Sequence, residues 1–287
     1  MKFNFLGIQC NFEEAEYVVV PISYEATTSC FGGTHYAPWR ILEASQEIED
    51  YLPELDLNTG GIKIHTLPVF HPPSLVPEEA IEHISEKISE IVNAKKIPII
   101  IGGEHTIAWG CLKSFDEDTK VVFVDAHLDF YDQFRGEKIC HATVGKRIAE
   151  RHRMVHIGGR TYETVEGEEL SKHDVIFLPM KSFFDSHDKF FDWISKGSVY
   201  LSIDFDILSP QEGIMVGNPV PEGWTINELL HLINFFVLNS RVTGIDFCEY
   251  RPATKTGDIL ASKVIQKTLA FMEIGNSIKD SLTTLER

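Results

Sequence analysis

Eight short apolar runs, more than any single motif, limit how this chain can fold. They are Tyr17–Ile22, Ile62–Phe70, Ile97–Ile101, Val121–Val124, Met154–Ile157, Val175–Leu178, Val199–Ile203 and Val242–Phe247. Several are apolar at consecutive rather than alternate positions, so both faces of each strand need cover. Amphipathic segments lie between them. The clearest is PEEAIEHISEKISEIV, where Ile81, Ile84, Ile88 and Ile91 fall three or four apart behind Pro77, a good first-turn residue. Others span Pro38–Tyr51, Thr106–Phe115, Ala142–Arg151, Thr225–Asn239 and Ile259–Met272. This alternation predicts an α/β fold with a mainly parallel sheet and helices on each face. With no break in composition, residues 1–287 are expected to form one domain.

Composition narrows the partners. Of the 287 residues, 43% are apolar and 24% charged, an ordinary balance for a globular protein. The net charge of −17 argues against nucleic acid or an anionic membrane as partner and suits a cationic small molecule. No apolar run approaches the roughly 18 residues of a membrane span, and the acidic start does not read as a signal peptide. Cys10, Cys30, Cys111, Cys140 and Cys248 are scattered with no CxxC pair, which points to a reducing, cytoplasmic compartment.

Polar residues gather where strands end. KKIPIIIGGEHTIAWG closes a strand at Ile101, turns on Gly102 and Gly103, and presents Glu104 and His105 before a helix. VVFVDAHLDF places Asp125, His127 and Asp129 at alternate positions. VYLSIDFDILSP carries Asp204 and Asp206, two apart and therefore on one face. RVTGIDFCEYRP ends in Asp246 and Glu249. A lone Asp-x-Asp ordinarily caps a turn, and a lone Gly-Gly merely bends the chain. Together, however, two histidines and four aspartates on neighbouring strand ends would repel one another without cations between them. His105, Asp125, His127, Asp129, Asp204 and Asp206 are too many ligands for one ion. They suit two, about 3.5 Å apart with shared carboxylates and a water between them. Nitrogen and oxygen donors without thiolate favour Mn²⁺, with Fe²⁺, Co²⁺ or Ni²⁺ as rivals.

In order and spacing, GGEHT, DAHLD, SIDFD with Pro210 following, and DFCEYRP resemble the motifs of the ureohydrolases, the arginase and agmatinase family. FGGTHYAPWRIL and NPVPEGWT extend the likeness over most of the chain, and HLDFYDQFRGEKICHATVGKRI looks most like prokaryotic agmatinases. The resemblance implies a three-layer α/β/α fold around an eight-stranded sheet, assembly as a homotrimer or homohexamer, and two Mn²⁺ per subunit. Carried over by motif, His105, Asp125, Asp129 and Asp204 hold one ion; His127, Asp125, Asp204 and Asp206 hold the other. Glu249 matches the glutamate that orients the guanidinium, and His141 matches a mobile proton-shuttling histidine. Asp129 would pass a proton to the leaving amine, and Asp246 reads as structural. Three positions depart from the family pattern: Glu104 where Asp is common, Ser209 before Pro210 where Asp is usual, and Glu222 where Gly is frequent.

The substrate such a site implies is a guanidine. The loops Phe130–Cys140 and Arg160–Glu169 are expected to reach its far end, and they carry Asp132, Glu137, Glu163, Glu166, Glu168 and Glu169. Arg135 counts the other way. The balance favours a cationic tail, hence agmatine cleaved to putrescine and urea. Arginine, guanidinobutyrate, aminopropylagmatine and formiminoglutamate are the alternatives, and an inactive regulatory homologue is the non-enzyme one. A zinc deacetylase built on the same sheet would leave His105, Asp206 and Glu249 without a task.

Overall fold

A computed structural model of the chain describes residues 3–180, 182–183, 191–194 and 197–285. Eight strands form the main sheet: β1 (Tyr17–Pro21), β2 (Ile64–Thr66), β3 (Ile97–Ile101), β4 (Lys120–Val124), β5 (Met154–Gly158), β6 (Val175–Pro179), β7 (Ser198–Asp204) and β8 (Arg241–Cys248). Their order across the sheet is β2-β1-β3-β8-β7-β4-β5-β6. Every neighbouring pair is parallel. The chain therefore lays β3 and β4 apart and later returns to fill the gap with β7 and β8. All four segments that end in acids or histidine become adjacent strands at the centre of the sheet.

Helices cover both faces, as strands apolar on both sides require. Ile99, Ile101, Val122, Val124, Leu201 and Ile203 point to one side, against α1 (Ala37–Ala44), α6 (Ile226–Asn239) and α7 (Lys255–Leu285). Ile100, Val121, Phe123 and Tyr200 point to the other, against α2 (Pro77–Asn93), α3 (Ile107–Leu112) and α4 (Val144–Ala149). Among the described residues no helix is long and apolar enough to cross a membrane.

Local chemistry shifted several boundaries. The run expected as a strand over Ile62–Phe70 pairs only at Ile64–Thr66: a 3₁₀ turn, Thr59–Gly61, precedes it, and Phe70 adds one isolated bridge to Ile22. The helix expected over Pro38–Tyr51 stops at Ala44, and Tyr51–Leu52 instead pairs with Leu57–Asn58. The acidic segment Arg160–Glu169, expected as a loop, contains α5 (Thr164–Leu170). Glu163 and Glu166 form a reciprocal capping box there, each side chain accepting from the other's backbone N–H, which starts the helix.

Candidate metal centre

Register brings the site together. Ile101 pairs with Phe247, Phe247 with Ile203, and Ile203 with Val124, so four strand ends stand level. One residue further on, Asp204 and Asp125 emerge side by side. The β3 end turns through Gly103, where an added Cβ would meet the Tyr24 carbonyl oxygen at 2.2 Å. Only glycine allows that approach. The turn delivers His105, which is fully buried.

His105 Nδ1 lies 3.1 Å from Asp125 Oδ2, 3.2 Å from Asp204 Oδ2 and 3.9 Å from Asp129 Oδ2. Its other nitrogen, Nε2, is 2.9 Å from Ser202 Oγ, whose hydroxyl donates to Asp246 Oδ1 at 3.0 Å. A carboxylate only accepts, so the serine proton is committed and its oxygen accepts from His105 Nε2–H. In the neutral ring Nδ1 is then a lone pair facing three carboxylates, an arrangement that asks for a cation, whether a proton or a metal ion, between them. His127 Nδ1 lies 2.6 Å from Asp206 Oδ2 and 3.6 Å from Asp125 Oδ1. The structure thus makes two interlocking groups, His105–Asp125–Asp204 and Asp125–His127–Asp206, with Asp125 in both.

The electrostatics agree. Burial, reinforced by Asp125 for the first and Asp206 for the second, lifts Asp129 and Asp204 well above the usual carboxylate range. Burial opposes charge on both imidazoles, yet the carboxylates overcome it. Asp125 and Asp204 push His105 well above its ordinary value, and Asp206 does the same to His127. Protons thereby occupy the space that divalent cations would neutralise better. The donor set of hard oxygens and imidazole nitrogens fits a pair of such ions.

The strand ends open into a cavity of about 400 Å³ lined by His105, His127, Asp129, His141, Glu163, Glu166, Asp204, Asp206 and Glu249 among others. Glu249 accepts from the His105 backbone N–H at 2.8 Å, and burial, with Glu104 nearby, raises it to about 8. Asp129 and Glu249 both adopt left-handed backbone, with φ of 57° and 61°. Such conformations cost on the order of 1–3 kcal/mol in a residue with a side chain and concentrate where function demands them. His141 stands across the cavity, and burial lowers its pKa.

Sequence reasoning passed over two supporting residues, Ser202 and Asn218, and read a third, Asp246, as structural. Ser202 holds His105, Asp246 holds Ser202, and the Asn218 amide sits 3.0 Å from His127 Nε2. Ser202 was within reach of inspection, since it lies two residues before Asp204 on one face of β7. Of the acids expected at the far end of the cavity, Glu163 and Glu166 line it. Asp132 instead pairs with Lys146 at 2.6 Å and Arg147 at 3.4 Å, and Glu169 with Lys146 at 2.9 Å. Arg135 stacks over Phe134 at 5.1 Å from the ring centre. Among the described lining residues none is lysine or arginine. The guanidinium of Arg160 is spent on the carbonyls of Asp206, Ile207, Val220 and Pro221.

A parallel α/β sheet with a buried His/Asp cluster at its carboxyl edge defines a hydrolase of the ureohydrolase type. Residues 15–270 match the Arginase family, and the chain belongs to it. The agmatinase of Pyrococcus horikoshii is 29% identical over 277 residues, covering 94% of each chain. The N(1)-aminopropylagmatine ureohydrolase of Thermus thermophilus is 29% identical over 259 residues, covering 88% of each. The crystal structure of the agmatine ureohydrolase of Thermoplasma volcanium superposes with a TM-score of 0.83 at 29% identity, covering 92% of each chain.

Proposed function

We propose that this protein hydrolyses agmatine to putrescine and urea, using two Mn²⁺ held by His105, Asp125, Asp129 and Asp204 on one side and His127, Asp125, Asp204 and Asp206 on the other. The observation that carries the substrate reading is the wall of the cavity. It has six acids, Asp129, Glu163, Glu166, Asp204, Asp206 and Glu249, and among its described residues no lysine or arginine. A tail bearing a carboxylate would meet no lysine or arginine there, whereas an ammonium meets Glu163. Glu166 is less available, because its carboxylate already accepts from Glu163 N and Phe130 N.

The paired metal ions, when bound, acidify a water and make it nucleophilic at neutral pH. The chain's own groups do the rest. Glu249 pairs with the planar guanidinium through parallel hydrogen bonds and aims its carbon at the attacking water. Water oxygen bonds to that carbon, the bond from carbon to the tail nitrogen breaks, and urea and the amine separate. The proton lost by the water is moved by Asp129 to the departing amine, and His141 exchanges protons with solvent near neutral pH.

The test is urea release from a panel of guanidines after manganese loading. Agmatine is expected to exceed arginine in kcat/KM by at least about 10²-fold. The panel includes aminopropylagmatine, because the half-exposed Tyr162 also lines the cavity, beside Glu163 in sequence. Equal turnover of arginine would overturn the substrate reading, and activity only on acetylated amines would overturn the chemistry.

A further inference from the structure

One buried carboxylate takes no part in the chemistry described so far. Glu104 is fully buried, immediately before His105, with its carboxylate held by the segment Ala26–Thr28. Its Oε2 accepts from Ala26 N at 2.9 Å, from Thr27 N at 2.7 Å and from Thr28 Oγ1 at 3.4 Å. Its Oε1 accepts from the hydroxyls of Thr27 and Thr106. Five donors converge on one carboxylate, more than a cap on a loop requires.

Thr27 is where this network meets the cavity. Its Oγ1 lies 3.2 Å from His141 Nδ1 and also accepts from the His141 backbone N–H at 3.2 Å. A threonine hydroxyl has one proton and two lone pairs. The proton is committed to Glu104, which cannot donate in return. Both lone pairs must then face donors, so His141 Nδ1 carries hydrogen. His141 Nε2 is left as the nitrogen with the lone pair, which accepts from Ser29 Oγ at 3.1 Å, and His141 and Ser29 both line the cavity.

We infer that Glu104, acting through the Thr27 hydroxyl, is a positioning residue that fixes His141 in its Nδ1–H tautomer and so makes Nε2 the atom that takes and releases protons. Two backbone amides on the same carboxylate prevent it from rotating away, and the Thr106 hydroxyl holds its other oxygen. The imidazole cannot flip without leaving Thr27 Oγ1 one donor short, with only the His141 backbone N–H on it, and Nδ1 without a partner. Burial keeps His141 below its ordinary pKa, so the neutral ring, in which the choice of tautomer matters, prevails at neutral pH. The inference rests on the proton-shuttling role proposed for His141, but the tautomer can be read without reference to activity.

The test uses the full chain with ¹⁵N-labelled histidine, loaded with diamagnetic Mg²⁺, and long-range proton–nitrogen correlation spectra assigned with a His141→Asn control. The wild type should show His141 protonated at Nδ1. Glu104→Gln presents an amide donor to Thr27, reverses the hydroxyl and should move the proton to Nε2; Thr27→Val should leave a mixture of both tautomers. In the manganese-loaded enzyme Thr27→Val should lower kcat roughly ten- to a hundredfold with KM little changed, and Thr27→Ser should restore kcat to within about threefold. Should Glu104→Gln fail to fold, the Thr27 pair carries the test alone. An Nε2–H wild-type ring, or a Thr27→Val spectrum unchanged from wild type, overturns the relay. Full activity in His141→Asn overturns the shuttle role instead, and the spectra still decide the tautomer.

Discussion

Two fully buried histidines flank the same phenylalanine and have opposite fates. His105 stacks on Phe123 with ring centres 4.6 Å apart, and His156 approaches it at 5.3 Å from β5. Both nitrogens of His105 are engaged, one by Ser202 and one by the carboxylates of Asp125 and Asp204. Neither ring nitrogen of His156 makes a hydrogen bond of good geometry. Burial pushes His156 down to about 4, whereas His105 is held well above its ordinary value. Depth in the core is shared, so depth does not make a site. Convergent partners do.

The sharpest way to break that contrast is to remove a shared carboxylate. Asp204→Ala should weaken both proposed metal sites together, and activity should fall on the order of 10³-fold or more. Metal analysis of manganese-loaded protein should give about two ions per chain for wild type and fewer for the variant. A wild-type plateau at one ion with full activity would refute the paired centre.

Glu249→Gln comes next. It keeps the size and one acceptor but loses the charge opposite the guanidinium, so kcat/KM should drop roughly 10²- to 10³-fold. Metal content should stay near wild type, and a loss of metal would make Glu249 part of the scaffold instead. At the far end of the cavity the effect is smaller. Glu163→Gln should cost about tenfold in kcat/KM for agmatine, mostly through KM, because it removes one partly solvated charge pair. Asp132→Asn, outside the cavity wall, should change kcat/KM by less than about twofold.

His156 should matter least to activity and still leave a signature. Its folded pKa of about 4 lies below the roughly 6.5 of an unfolded imidazole, so the unfolded chain binds more protons between those values. Stability therefore falls as pH drops from about 6.5 to about 4, by on the order of 3 kcal/mol from this group. His156→Leu should keep wild-type metal content and turnover at pH 7.5 and lack that part of the acid loss in denaturant titrations. A loss of metal at pH 7.5 would place His156 in the site after all.

The gathering of histidines and aspartates at the strand ends was legible because strand-end acids are costly unless shared, and a period of two makes Asp204 and Asp206 point together. The parallel sheet was legible for the same kind of reason: runs such as Val121–Val124 leave no polar face. The supporting shell was harder. Ser202, Asn218 and Thr27 are ordinary polar residues whose partners lie 97, 91 and 114 positions away. Nothing local marks them. The acidic rim was read correctly in part: Glu163 and Glu166 line the cavity, but Asp132 and Glu169 answer to Lys146 on α4, a contact no spacing rule predicts. Asp129 and Glu249 were identified by motif, but their left-handed backbone was not.

The order of the strands also sets a schedule. β3 and β4 follow one another in the chain yet stand two strands apart, with β7 and β8 between them. On the ribosome His105, Asp125 and Asp129 emerge long before Asp204 and Glu249. A nascent chain that closed β3 against β4 would form a shorter sheet with three ligand side chains facing one another and no place for the latecomers. Folding must keep β3 and β4 about 14 Å apart, three strand spacings, until residues 198–248 arrive to fill the gap. The step that completes the core is therefore the same step that completes the proposed metal centre.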